Sequence, residues 1–124
     1  MSDDRLIGIW SLVSYILTLA EEQRVEPIGP TPIGRLIYTD MGLMSAHLMA
    51  AGPGQVSYLS YSGKWRRVGS EVLHDVDISS RVGMVGTTVR RNLALTDGQL
   101  TLTARNAPWQ NQHGTGRLTW RRAD

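Results

Sequence analysis

Apolar residues recur at every second position along most of this chain, and turn-forming residues interrupt the pattern at short intervals. Period two is the spacing of a strand with one face toward a core, whereas a helix repeats its apolar stripe every three to four residues. The pattern argues for an all-β fold, with strands at about Gly8–Leu19, Arg35–Thr39, Leu43–Ala50, Tyr58–Arg67, Glu71–Ser80, Thr87–Leu95, Gln99–Ala104 and Thr115–Arg122. TDMG and TDG read as tight hairpins, because Asp and Gly accept the positive φ that such turns require. The link EEQRVEPIGPTPIG reads as a loop, since Pro27, Pro30 and Pro32 cannot donate to a ladder. AAGPGQVS and RNAPWQNQHGTG read as further loops, and Ser2–Leu6 as one helical turn at most.

Eight sequential antiparallel strands with hairpin links suggest an up-and-down sheet closed into a barrel, which removes exposed edges and leaves room inside for one small ligand. At 124 residues the expectation is one domain spanning residues 1–124. There are no cysteines, which excludes disulfides, thiolate nucleophiles and thiolate metal sites. Nothing in MSDDRLIGIW reads as a signal peptide, and no apolar run approaches the roughly 20 residues of a membrane span. The expectation is a cytoplasmic protein without a membrane partner. Twelve of the thirteen basic residues are arginine, yet the formal charge is only +2. A nucleic-acid module gathers more positive charge on one stripe among exposed aromatics, so nucleic acid is not the expected partner.

The more apolar alternation of each strand is its expected inner face. It carries Leu59, Tyr61, Gly63 and Trp65 in the fourth strand, and Thr87, Val89, Arg91, Leu93 and Leu95 in the sixth. In the fifth, VLHDVDIS, it carries Val72, His74, Val76 and Ile78. These strands should be neighbours, so Tyr61, Trp65, His74 and Arg91 can line one side of a common cavity, a mostly apolar wall with a few converging polar groups. Tyr38, in strand 35–39, joins them as a candidate ligand contact. An inward histidine is by itself equally a hydrogen-bonded core residue. An inward guanidinium needs an internal carboxylate or an anionic or carbonyl ligand, and Asp75 and Asp77 fall on the opposite face. A one-residue slip of register would place Arg90 inside and Arg91 in solvent. Met41, Met44, Met49 and Met84 read as adaptable packing near hairpins and openings. His47, His74 and His113 lie on different elements without metal-ligand spacing, and no serine sits in a nucleophile elbow.

LIGIWSLVSY resembles the opening GTWxLVS strand of the lipocalin-like domain proteins, a bacterial and fungal group related to lipocalins and fatty-acid-binding proteins. PIGRLIYTDMGLMSA is similar to that group's next segment, and the similarity continues through YSGKW, VLHDVDIS and GTTVRRNLALTDGQLTL. The resemblance implies a calycin-type barrel with an internal cavity. It also implies that Trp10 packs at the closed end against an arginine of the last strand, Arg121 or Arg122. His74 matches the first histidine of the family's HHVE-like segment, and Arg91 the arginine after its GT turn. Asp75 replaces the second histidine, so a mechanism needing a histidine pair does not carry over.

Two functions fit these residues. In the first, the barrel binds a small, largely hydrophobic molecule with a carbonyl or carboxylate, anchored by Arg91 and oriented by His74, Tyr61, Trp65 and Tyr38. In the second, a cofactor-independent isomerase or cyclase acts on a polyketide- or terpene-like intermediate, with His74 as acid or base and Arg91 stabilising oxyanion charge. Neither calls for a metal or a cofactor, and a homodimer is compatible with both.

Overall fold

Nine strands form one continuous antiparallel sheet in the computed structural model, which describes residues 5–51 and 58–124. They are β1 (Gly8–Thr18), β2 (Arg24–Val25), β3 (Ile33–Tyr38), β4 (Leu43–Met49), β5 (Tyr58–Val68), β6 (Glu71–Ser79), β7 (Thr88–Thr96), β8 (Gln99–Trp109) and β9 (Gln112–Arg122). From β3 to β9 each strand pairs with its successor, and β1 pairs with both β3 and β9. The eight long strands thus close into the expected up-and-down barrel. β2 is additional: Leu17 and Thr18 of β1 pair with Val25 and Arg24, inside the link read as all loop and just ahead of Pro27. Residues 2–4 of the expected helical turn over Ser2–Leu6, and most of the loop AAGPGQVS, lie outside the described residues.

Turn chemistry sets the hairpins. Between β7 and β8, Asp97 and Gly98 both take positive φ, 39° and 77°, so a two-residue loop twists in the sense of the strands it joins. The last hairpin departs from the sequence reading, which expected a loop over 105–114. β8 and β9 instead continue as a two-stranded ribbon down to the pair Trp109 and Gln112. A bulge at Arg105–Asn106, with Asn106 at φ 56°, interrupts it. β7 pairs with β8 only from Thr103 onward toward Gln99, so Pro108 meets no third strand and its missing N–H breaks no ladder.

Two more bulges change which side chains face inward. Between β5 and β6 the register passes from Ser62 opposite Ile78 to Gly63 opposite Val76, leaving Asp77 as an extra residue. Alternation therefore inverts beyond Val76, and Ile78, expected inside, is 67% exposed. Gly63 belongs to this bulge, since a Cβ there would collide with the carbonyl oxygen of Asp75. In β1 the register slips at Val13, so the inward set runs Trp10, Leu12 and then Tyr15, Leu17.

One end of the barrel is plugged. Leu6, Trp10, Tyr38, Val72, Leu100 and Trp120 are all buried in one cluster. The Trp10 indole donates to the Leu6 carbonyl at 3.0 Å. The Arg122 guanidinium carbon lies 4.3 Å from the Trp10 ring centroid, and Nη1 donates to the Ile7 carbonyl at 2.9 Å. Of the two arginines implied by the resemblance, Arg122 is the partner. Outside the barrel, Leu73 is buried although it points away from the core, because its cross-strand neighbours are Arg66 and Arg90. Their stems flank it while their heads pair with Asp75 at 3.3 Å and Glu71 at 2.9 Å. Met44 is core, whereas Met41 at a hairpin tip and Met49 on the outer face are exposed, contrary to the packing role expected of them.

Candidate functional site

Above the plug the barrel holds a cavity of about 620 Å³. Its wall is mostly apolar: Leu36, Ala46, Leu48, Leu59, Leu102 and Leu118 contribute to it, and alanines at 46 and 104 leave volume that larger residues would fill. Ile28, Met84 and Trp109 reach it from the link after β2, the short turn of helix Val82–Met84 and the last hairpin. Exposed Arg81, Arg105 and Asn106 also line it, so the cavity communicates with solvent on their side.

Three adjacent strands deliver the polar groups. Parity on β5 turns Tyr61 inward, parity on β6 turns His74 inward, and on β7 Arg91 points in while Arg90 points out to Glu71. The register is thus the one in which Arg91, not Arg90, faces the cavity. Among the described residues no carboxylate pairs with Arg91; its Nη1 donates to the Arg90 carbonyl at 2.9 Å. Among the described residues no Asp or Glu side chain lines the cavity.

His74 is 1% exposed and held at both ring nitrogens. The Tyr38 hydroxyl lies 2.6 Å from Nε2 and the Tyr61 hydroxyl 2.8 Å from Nδ1. Burial, and then the nearby Arg91 charge, push the His74 pKa down to about 3, so the imidazole is neutral at ordinary pH. Burial lifts Tyr61 to about 12 against the lowering effect of Arg91, and holds Tyr38 well above the usual tyrosine range. Both phenols stay protonated. The corner therefore offers one fixed positive charge and neutral hydrogen-bonding groups, not a side chain that exchanges a proton near neutrality.

The candidate residues named from the sequence separate into two layers. Tyr61, His74 and Arg91 reach the cavity. Trp65 and Tyr38 do not line it; they sit behind it, rings 4.8 Å apart, with the Trp65 indole donating to the Thr39 carbonyl at 2.9 Å. The Tyr38 hydroxyl meets the site through His74. Among the described residues, no group of three or more His, Cys, Asp or Glu is placed to hold a metal ion, and no helix is long and apolar enough to cross a membrane.

Residues 7–57 match the family model of the lipocalin-like domain. The fold is shared with crystal structures of a lipocalin-like protein from Bacteroides uniformis (TM-score 0.57, 13% identity, 96% of this chain and 99% of that one) and an uncharacterized protein from Bacteroides eggerthii (0.54, 14%, 95% and 99%). The chain has a lipocalin-like fold. No curated protein matches it significantly.

Sequence reasoning missed two residues in this lipocalin-like cavity. Tyr15 lines it and has a raised pKa, from burial, moderated by Arg91 and Arg81. Its inward placement follows from the bulge at Val13, visible in the sequence only as a change of phase from Trp10 and Leu12 to Tyr15 and Leu17. Trp120 lines it too, and its buried indole N–H has no acceptor among the described residues. TWRR had suggested only a structural end to the barrel.

Proposed function

We propose that residues 1–124 act as one domain that binds a small, largely hydrophobic molecule bearing a carbonyl or carboxylate, with Arg91 as its anchor and Tyr61 orienting it. The observation that carries this reading is the inward guanidinium, without a carboxylate partner among the described residues, in an apolar cavity of about 620 Å³. That volume falls within the roughly 300–1,000 Å³ of ordinary small-molecule sites. An unpaired cation in such a wall loses hydration that only an anion or a strong acceptor restores. His74, Tyr38 and Trp65 enter this reading as the support of Tyr61 and of the wall.

The alternative, an isomerase or cyclase using His74 as acid or base, draws less support from the geometry. Both ring nitrogens are engaged by tyrosines, and a pKa near 3 is far from the operating pH that favours proton transfer.

Titration with 1-anilinonaphthalene-8-sulfonate, a fluorescent hydrophobic anion, tests the binding reading. Arg91→Met should weaken binding about tenfold or more, roughly 1.4 kcal/mol, while Arg90→Met leaves it unchanged. Equal effects of the two substitutions, or no saturable binding, would overturn it. Native mass spectrometry of freshly purified protein should show a co-purified small molecule.

A further inference from the structure

The hydrogen-bond chain behind the cavity has a direction. Tyr38 is 1% exposed, and its hydroxyl has a single partner among the described residues, Nε2 of His74. Were that nitrogen protonated, the phenol hydrogen would be buried with no acceptor, an arrangement folded proteins avoid. Tyr38 therefore donates to Nε2. A neutral imidazole then carries its hydrogen on Nδ1, which donates to the Tyr61 oxygen. A phenol oxygen already accepting one bond is a poor second acceptor, because its other lone pair is delocalised into the ring. The remaining capacity of Tyr61 is its own O–H, which turns away from His74 toward the cavity its ring lines.

Two further polar groups of the cavity wall have the same sign. Arg91 can only donate. The Trp120 indole can only donate, and is buried without an acceptor among the described residues. Among the described residues no carboxylate faces them.

We infer that Tyr38 and His74 are positioning residues that hold the Tyr61 hydroxyl as a permanent donor, so that the cavity selects an acceptor-only head group, a carboxylate or equivalent oxyanion, over the corresponding alcohol. An alcohol must place its hydrogen somewhere, and Arg91, the Tyr61 hydroxyl and the Trp120 indole offer it no acceptor; among the described side chains that line the cavity, only the Tyr15 hydroxyl and the Asn106 amide can take it. The inference rests on the binding reading above and names the chemical class of ligand within it.

Calorimetry of the full chain with 4-phenylbutanoate and 4-phenyl-1-butanol, matched in everything but the head group, tests the selectivity. The carboxylate should bind at least tenfold more tightly. Tyr38→Phe removes the donor that holds the proton off Nε2. It should bring the two affinities together chiefly by strengthening the alcohol, which loss of packing alone would not do. Long-range proton–nitrogen spectra of histidine-labelled wild-type protein, with the His74 signal assigned through His74→Gln, should show the Nδ1–H tautomer, whether or not Tyr38→Phe folds. Equal affinities in the wild type, or an Nε2–H tautomer, would overturn the inference while leaving the binding reading in place. Binding of neither probe would overturn the binding reading, and the selectivity with it.

Discussion

The Tyr38 hydroxyl lies 2.6 Å from Nε2 of His74, and both residues are 1% exposed. Inside a protein such a bond matters most through what its loss leaves behind: a buried polar group without a partner costs roughly 1–3 kcal/mol. His74→Leu strands the phenols of both Tyr38 and Tyr61, and should lower the unfolding free energy by about 2–4 kcal/mol. Tyr38→Phe should cost about 1–2 kcal/mol. The double variant should be more stable than the sum of the two losses predicts, by about 1 kcal/mol, because it removes both ends of one bond. Urea unfolding of the four proteins measures the cycle, and strict additivity would contradict the pairing.

Acid should expose the same residue. The folded-state pKa of about 3 lies below the ordinary value of 6.5, so the unfolded chain binds this proton first. The contribution of neutral, buried His74 is complete above about pH 6.5 and is lost progressively as pH falls toward 3, at up to ~1.4 kcal/mol per pH unit. Asp75, whose pKa is lowered by hydrogen bonds from Thr88 and then Arg66, adds to the loss only in the carboxylate range. Between pH 6.5 and 5 the His74→Leu variant should therefore show a flatter stability profile than the wild type. Identical slopes would mean that the histidine titrates normally when folded.

Gly63→Ala should be severe although only one methyl is added. The new Cβ would collide with the Asp75 carbonyl oxygen, so the β5–β6 pairing beside the bulge, between Tyr61 and His74, must open. A loss of about 2–3 kcal/mol or more is expected. Gly83→Ala is the matched control, with nothing within 4 Å of its added Cβ, and should melt within a few degrees of the wild type. Thermal denaturation followed by circular dichroism compares them.

Arg122 ties the barrel's closed end. Its guanidinium covers Trp10 and donates to the carbonyls of Ile7 and Arg5. Arg122→Met keeps a stem over the ring but loses the charge and the donors, and should cost about 1–3 kcal/mol. Arg121→Met, on the exposed parity of the same strand, should be near neutral. Hydrogen exchange at the Trp10 amide should accelerate in the first variant and not in the second.

Much of the barrel was legible in the residues. Period-two alternation located eight of the nine strands, and Asp97–Gly98 specified its own turn. The same alternation aimed Tyr61, His74 and Arg91 inward, because their strands keep phase from the hairpins to those positions. The failures cluster where phase breaks. Ile78 lies past the bulge at Asp77, Tyr15 past the one at Val13, and the last hairpin carries a third. A bulge inserts one residue without altering composition, and its sites, such as Gly63 against Asp75, depend on which strands meet.

By itself, then, the sequence determined the architecture and the side from which each polar group approaches, because both follow from local periodicity and turn chemistry. Only the tertiary structure decided depth and partnership. It set Tyr38 and Trp65 behind the wall and Tyr61 and Arg91 at its surface, and it closed both nitrogens of His74, on β6, with phenols from β3 and β5. Those phenols stand thirty-six and thirteen residues away along the chain. Barrel closure and strand stagger bring them to one imidazole, and no short-range pattern records that distance.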